Sequence, residues 1–259
     1  MLDQFHSYLL GLLQTDGHLS ENSRNRGRIS LDLSKRDIDI LYKIKELISC
    51  NASIKEKITN TNFKDNYESA KLSIFNLEFR NFMKEHGLLQ GRKTETKPPN
   101  TDYSVIDYYR GIIDGDGSLG ITSNNIPYIS LITKNDILKD NWLSFINKHT
   151  GLIKTTNRNK RDNAYNILVM KENAQILVGI LYYKDCLCIA RKYVKAQEVL
   201  NWIRPDDMKV RNYPVKKWTD EEDEFILSHT ITESMLFTSR TEKSIKTRLW
   251  RLRKKQIAV

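Results

Sequence analysis

Two short stretches, 100 residues apart, limit what this chain can fold into. Tyr8 to Gly17 reads YLLGLLQTDG, and Tyr108 to Gly117 reads YYRGIIDGDG. Each is an apolar helical pattern with a central glycine, Gly11 or Gly111, that runs straight into Asp16-Gly17 or Asp116-Gly117. A carboxylate at a helix C-terminus meets the negative end of the macrodipole. Something else must stabilise it, and a bound cation is the simplest candidate. Each copy opens about a hundred residues of similar pattern, so the chain reads as a duplicated unit.

The two segments resemble the signature of the LAGLIDADG homing endonucleases: Leu9–Gly17 and Tyr109–Gly117 fill its nine positions. The resemblance implies two motif helices packed side by side at a pseudo-twofold axis. Gly11 and Gly111 would let the backbones approach. Asp16 and Asp116 would emerge together and hold Mg2+ or Mn2+, with Gly17 and Gly117 beside them as further metal contacts. Gln14 departs from the usual Asp at the sixth position, which Asp114 keeps. Because the metal-binding carboxylate is the eighth position, Gln14 does not by itself suggest an inactive site.

The 259 residues allow one pseudo-symmetric body with an appendage. A net charge of +10 points to an acidic partner, most commonly nucleic acid. Cys50, Cys186 and Cys188 fit no disulfide framework or zinc spacing and read as reduced structural residues. No apolar run is long enough to span a membrane, and the N-terminus does not read as a secretory signal. The expectation is an intracellular protein, with organelle, phage and bacterial cytoplasm all open.

Periodicity orders the rest. In the first unit, residues 5–16 are a helix stopped by Gly17 as a C-terminal glycine. Residues 29–33 alternate as a half-buried strand, and 37–49 are an amphipathic helix. Residues 52–59 and 70–75 alternate again, and 77–86 are helical. The second unit repeats this order: helix 104–116, strands through 119–121 and 128–133, helix 136–150, strands 152–156 and 165–170, helices 171–181 and 192–202. The fold class is therefore α+β, with duplicated αββαββα units forming two four-stranded antiparallel sheets as a saddle. Both outer faces should be polar and basic. The domains read as 1–97, 98–203, a linker at 204–215, and 216–259.

The first argument for double-stranded DNA is the hairpins. Arg24, Arg26 and Arg28 lie on one, and Lys55 and Lys57 at alternate positions on another. The second unit offers Ser123, Asn124, Lys154, Thr156, Arg158, Lys160 and Arg161. A two-stranded ribbon fits the major groove. The second argument is the carboxylate pair, since phosphodiester hydrolysis needs a nucleophilic water and charge neutralisation, which carboxylate-held divalent cations supply. The resemblance also implies a basic residue near the scissile phosphate late in each unit, matching Lys93 and Lys192. It implies a polar, water-ordering residue at the end of the second strand, matching Lys35 and Lys134.

After the linker, Thr219 and Glu222 form a capping-box pattern. Residues 232–238 read as a second helix, and a third follows Arg240. From Lys243 to Lys255 there are seven Lys or Arg and no acidic residue. Trp218-Thr-x-Glu-Glu and Arg240-Thr-x-x-Ser-Ile-x-x-Arg-Leu resemble a Myb/SANT-type three-helix module. That resemblance implies a third helix able to enter the major groove, with Lys243, Lys246, Arg248, Arg251 and Arg253 as contacts. The combined expectation is a monomeric, site-specific, metal-dependent endonuclease cutting both strands across the minor groove with 3′ overhangs. An intron RNA maturase and a non-cleaving DNA-binding regulator are the rival readings.

Overall fold

The computed structural model describes residues 1–60, 65–91, 95–206, 208 and 218–256. They fall into two compact units, Met1–Arg204 and Pro205–Val259. The first unit opens with helix α1 (Gln4–Thr15), started by Asp3, whose carboxylate accepts from the His6 amide at 2.7 Å. Strands β1 (Gly17–Glu21) and β2 (Gly27–Ser34), helix α2 (Ile38–Leu47), strands β3 (Ala52–Thr59) and β4 (Tyr67–Ile74), and helix α3 (Leu77–Glu85) follow. The order then repeats as α4 (Val105–Asp116), β5 (Gly117–Ile121), β6 (Pro127–Thr133), α5 (Asp136–Thr150), β7 (Tyr165–Met170), α6 (Glu172–Leu181) and α7 (Ala190–Leu200). None of the described helices is long and apolar enough to cross a membrane.

The first sheet has four antiparallel strands in the order β1-β2-β4-β3. Strand periodicity sends Ile29, Leu31 and Leu33 of β2, with Ala70, Leu72 and Ile74 of β4, into one core shared with α1 and α2. The second sheet has three strands, β5-β6-β7, not the expected four. Residues 152–156 form no ladder. Leu152 packs against the core, Ile153 next to it is 86% exposed, and no alternating apolar face exists to seat the segment. Pairing is limited to a single bridge, Arg158 to Tyr165. There the Arg158 guanidinium donates to Asp136 (2.6 Å) and to the carbonyls of Lys134 and Asn163 (both 3.0 Å), drawing the chain toward the start of α5.

A second correction concerns Gly17. It is not a left-handed helix cap, since Asp16 caps α1 in right-handed geometry and Gly17 starts β1 directly. Glycine is required by crowding. A Cβ on Gly17 would fall 2.5 Å from the Leu13 carbonyl oxygen, and one on Gly117 would fall 2.7 Å from the Ile113 Cα. A third concerns the outer faces: the first sheet's is polar, but that of the second carries no charged side chain on its strands.

In the second unit, α8 (Asp220–Ser228), α9 (Ile231–Thr238) and α10 (Glu242–Gln256) form a three-helix group. Thr219 with Glu222, and Thr230 with Glu233, each make a complete capping box. Ile226 and Ile245 are its buried aliphatic residues, and Phe225 stacks on Phe237 at 4.0 Å.

Candidate functional site

The site is built on the contact between α1 and α4. A Cβ added to Gly11 would fall 2.2 Å from the Tyr108 carbonyl oxygen, and one on Gly111 would fall 2.2 Å from that of Tyr8. No side chain fits at either crossing point. Lower down, a Cβ on Gly115 would fall 1.9 Å from Thr15 Oγ1. The helices therefore stay in contact to their C-terminal ends, where Asp16 and Asp116 follow.

One turn above those ends, each helix is latched to the other by a tyrosine. The Tyr8 hydroxyl donates to Asp114 at 2.8 Å, and the Tyr108 hydroxyl donates to Gln14 Oε1 at 2.7 Å. Asp114 also accepts from the Tyr182 hydroxyl at 2.7 Å and the Ile189 amide at 2.8 Å. Burial raises its carboxyl pKa, against the pull of Lys192 and these donors. Gln14 instead uses its amide to donate to the carbonyls of Gly87 (3.0 Å) and Lys97 (3.1 Å). A carboxylate at position 14 would face those two oxygens without a proton to offer. The departure from Asp is thus set by packing, and neither sixth-position residue is available for chemistry.

Asp16 is half-buried at the end of α1, and Asp116 is exposed at the end of α4. Asp116 lines an open cavity of about 460 Å3 together with Ile132, Thr133, Lys134, Asn135, Asp162 and Ala164. Lys134 shares this cavity with Asp116. Lys35 follows β2, with its ammonium 3.1 Å from Glu56 of β3 and 3.6 Å from Glu68 of β4. The hydrogen bond that it donates to the Glu56 carboxylate raises its pKa. Lys93 lies outside the described residues. Gly91 lines a narrow cleft with Gly17 and His18.

Lys192 departs most from expectation. It does not project as a free cation, being 5% exposed with its ammonium donating to the carbonyls of Ile113 (2.5 Å), Asp114 (2.6 Å) and Gly117 (3.0 Å). All three donors of the ammonium are used, and they close the C-terminus of α4 where the dipole favours a cation. Burial lowers its pKa to about 8, opposed chiefly by Asp114, with Asp16 and Asp37 also pulling upward. The Gly117 carbonyl already accepts from an ammonium, which disfavours it as a metal contact. The sequence reading missed the neighbour, Arg191. Its Nε donates to both Asp37 oxygens (2.8 and 3.0 Å), pairing the start of α7 with the start of α2 across 154 residues of chain. No spacing signal in the sequence marks that pair.

The donor set suits a hard divalent cation. Asp16 and Asp116 offer carboxylate oxygens, and no group of three or more His, Cys, Asp or Glu converges among the described residues. An ion held there would complete its shell with water and substrate oxygens, as magnesium does.

The outer face of the first sheet carries Arg28, Asp32, Lys55, Lys57 and Lys71, by register with the buried Ile29–Leu33 alternation. Lys57 is paired to Asp32 at 2.7 Å. Arg24 and Arg26 are exposed on the β1–β2 turn. That turn is held from beneath by buried Arg80, which donates to the carbonyls of Asn25 (2.6 Å) and Gly27 (2.8 Å). Trp202 does the same for the β5–β6 turn, donating to the Asn125 carbonyl at 2.8 Å, and Ser123 and Asn124 stand exposed there. Lys160 and Arg161 are exposed, Lys154 is half-buried, and the Thr156 hydroxyl donates to the Asn166 carbonyl at 3.4 Å.

Two expected contacts are spent internally. Arg158 has the partners given above and a further bond to the Tyr165 hydroxyl at 3.1 Å. Arg248 pairs with Asp223 through two bonds of 2.7 and 2.5 Å and stacks 5.7 Å from the Trp218 ring. The acidic start of α8 is thus what fixes Arg248. Lys243, Lys246, Arg251 and Arg253 remain on the exposed side of α10, with Lys246 2.6 Å from Glu242.

Residues 4–87 match the family model described as a LAGLIDADG-like domain. No curated protein matches the chain. Among solved structures, meganuclease I-SmaMI bound to uncleaveable DNA with a TTGT central four is 14% identical, over 75% of this chain and 89% of that one, with a TM-score of 0.50. Mesophilic variants of the homing endonuclease I-DmoI are 13% identical, over 75% of this chain and 97% of that one, with a TM-score of 0.49. The chain carries a LAGLIDADG-like domain and has the LAGLIDADG homing endonuclease fold.

Proposed function

We propose that the protein is a site-specific, divalent-metal-dependent endonuclease that cuts both strands of a DNA duplex. The observation that carries this reading is the glycine-packed helix pair ending in Asp16 and Asp116. It is supported by the DNA-bound state of the similar meganuclease and by the basic face of the first sheet. Asp16 and Asp116 would hold Mg2+ or Mn2+, which when bound supplies an activated water and neutralises phosphate charge. The chain's own contribution is position. Gly11 and Gly111 fix the distance between the helices, Lys192 fixes the end of α4, and Lys134 sets a cation beside the exposed Asp116 to offset phosphate charge.

The pseudo-twofold arrangement gives one carboxylate per strand. The cut would cross the minor groove and leave 3′ overhangs, and the chain would act as a monomer. Lys243, Lys246, Arg251 and Arg253 of α10 would add phosphate contacts and raise affinity by tethering. The test is incubation with a library of double-stranded DNA targets in Mg2+ or EDTA. A discrete double-strand break in Mg2+ alone is the expected result. Tight binding with no break in either Mg2+ or Mn2+ would overturn the reading.

A further inference from the structure

The outer faces of the two sheets differ in chemistry. On the first, the strand positions facing outward include five charged residues, Arg28, Asp32, Lys55, Lys57 and Lys71. On the second, the corresponding positions are Ser118 and Gly120 of β5, Tyr128, Ser130 and Ile132 of β6, and Asn166, Leu168 and Met170 of β7, with no charge among them. Ile132, Leu168 and Met170 are 51%, 37% and 36% exposed. They are neighbours. Leu168 and Met170 are two apart on β7, and Leu168 pairs with Ser130 while Ile132 pairs with Asn166, a diagonal contact across the ladder. An outward sheet face is ordinarily polar, so a continuous aliphatic stripe calls for an occupant.

Its surroundings say which occupant. The stripe starts at the candidate site, since Ile132 lines the same cavity as Asp116 and Lys134. A substrate reaching Asp116 through this cavity would pass beside Ile132. The borders of the face are cationic. At the β5 edge, the Lys195 stem and the Tyr128 ring both lie within 4 Å of where a Gly120 Cβ would sit. Beside β7 runs the segment carrying Lys154, Lys160 and Arg161, tied to the strand by Thr156. A polyanion with an apolar feature in its groove fits an apolar floor between cationic borders. In DNA the one apolar group on the major-groove edge of a base pair is the thymine 5-methyl, and an asparagine suits adenine.

We infer that Ile132, Leu168 and Met170 read thymine methyl groups, so that the half-site facing the second sheet is rich in A·T pairs while the basic first sheet faces a guanine-containing half-site. The inference rests on the endonuclease reading and adds a sequence class for its target.

The test uses the full chain in Ca2+ to select bound duplexes from a randomised pool. Deoxyuridine, which lacks the 5-methyl, then replaces each thymine of the selected site in turn. Each contacted thymine should weaken binding about fourfold when its methyl is removed. The sensitive thymines should cluster in one half-site. In Leu168→Ala or Met170→Ala that sensitivity should vanish at one of them, and because both side chains are exposed, melting temperatures should stay within a few degrees of wild type. Leu168→Lys should shift the selected base toward guanine. Specific binding without any deoxyuridine sensitivity, or sensitivity unchanged in both alanine variants, overturns this inference and leaves the endonuclease reading standing. Failure to select any sequence sinks both. A concentration-dependent dimer that Leu168→Lys abolishes would assign the stripe to a second copy of the chain and also overturn it.

Discussion

Gly11 and Gly111 are each confined by the backbone of the opposite helix. A methyl group at either would overlap a backbone oxygen of the other helix at 2.2 Å, and backbone cannot rotate away. Gly11→Ala should therefore lower unfolding free energy by about 3 kcal/mol, at the upper end for overpacking, read as a lower urea midpoint with an unchanged slope. The sequence displayed these glycines and the two aspartates in full, because a repeated motif needs no tertiary information to be seen. It could not display Lys192. A lysine 76 residues beyond its motif aspartate looks like a surface cation until the fold buries it under three carbonyls. Its depressed pKa also gives a pH dependence with a definite sign. Between about 8 and its ordinary value of 10.5 the unfolded chain holds a proton that the folded chain has lost. Stability from this group therefore rises with pH across that window, by up to about 1.4 kcal/mol per pH unit. Lys192→Met should flatten that rise in urea titrations at pH 8 to 10. A wild-type curve that falls steadily from pH 8 would contradict the burial.

At the scale of elements, local pattern located the helices and most strands. What it could not locate was pairing. Residues 152–156 read as a strand by their place in the repeated order of elements, yet Arg158 anchors the following turn to the start of α5 and only one bridge forms. Hydrogen bonds from a side chain to distant carbonyls leave no periodic trace. The same holds for Arg191 and Asp37. Asp37 is buried and its partner is partly exposed, so Arg191→Ala should cost about 2 kcal/mol, between the exposed and buried ion-pair limits. That destabilisation should not appear in Asp37→Asn, Arg191→Gln, where a neutral pair replaces the charged one. In the three-helix group, Thr219→Ala removes a complete capping box and should cost about 1 kcal/mol there. Helical CD of the full chain, followed by heating, would register an earlier first transition.

For the whole molecule, the net charge of +10 and the duplicated motif are the sequence features that point to a nucleic-acid partner. The assignment of individual cations was less legible, because Arg158 and Arg248 are chemically identical to exposed arginines and differ only in what they meet. Replacing Lys243, Arg251 and Arg253 together with alanine should weaken DNA binding about equally across sequences. It should also reduce the slope of log affinity against log salt by about 0.9 for each phosphate that is no longer neutralised. A change in the preferred sequence without a change in salt slope would place those residues on bases instead. The most direct test of the account concerns the two motif carboxylates. Asp16→Asn, Asp116→Asn, assayed beside wild type on the cleaved site in Mg2+, should bind with affinity within a few fold of wild type and make no break in either strand. If the double variant still cuts both strands at a comparable rate, the ends of α1 and α4 are not the catalytic centre, and the account fails.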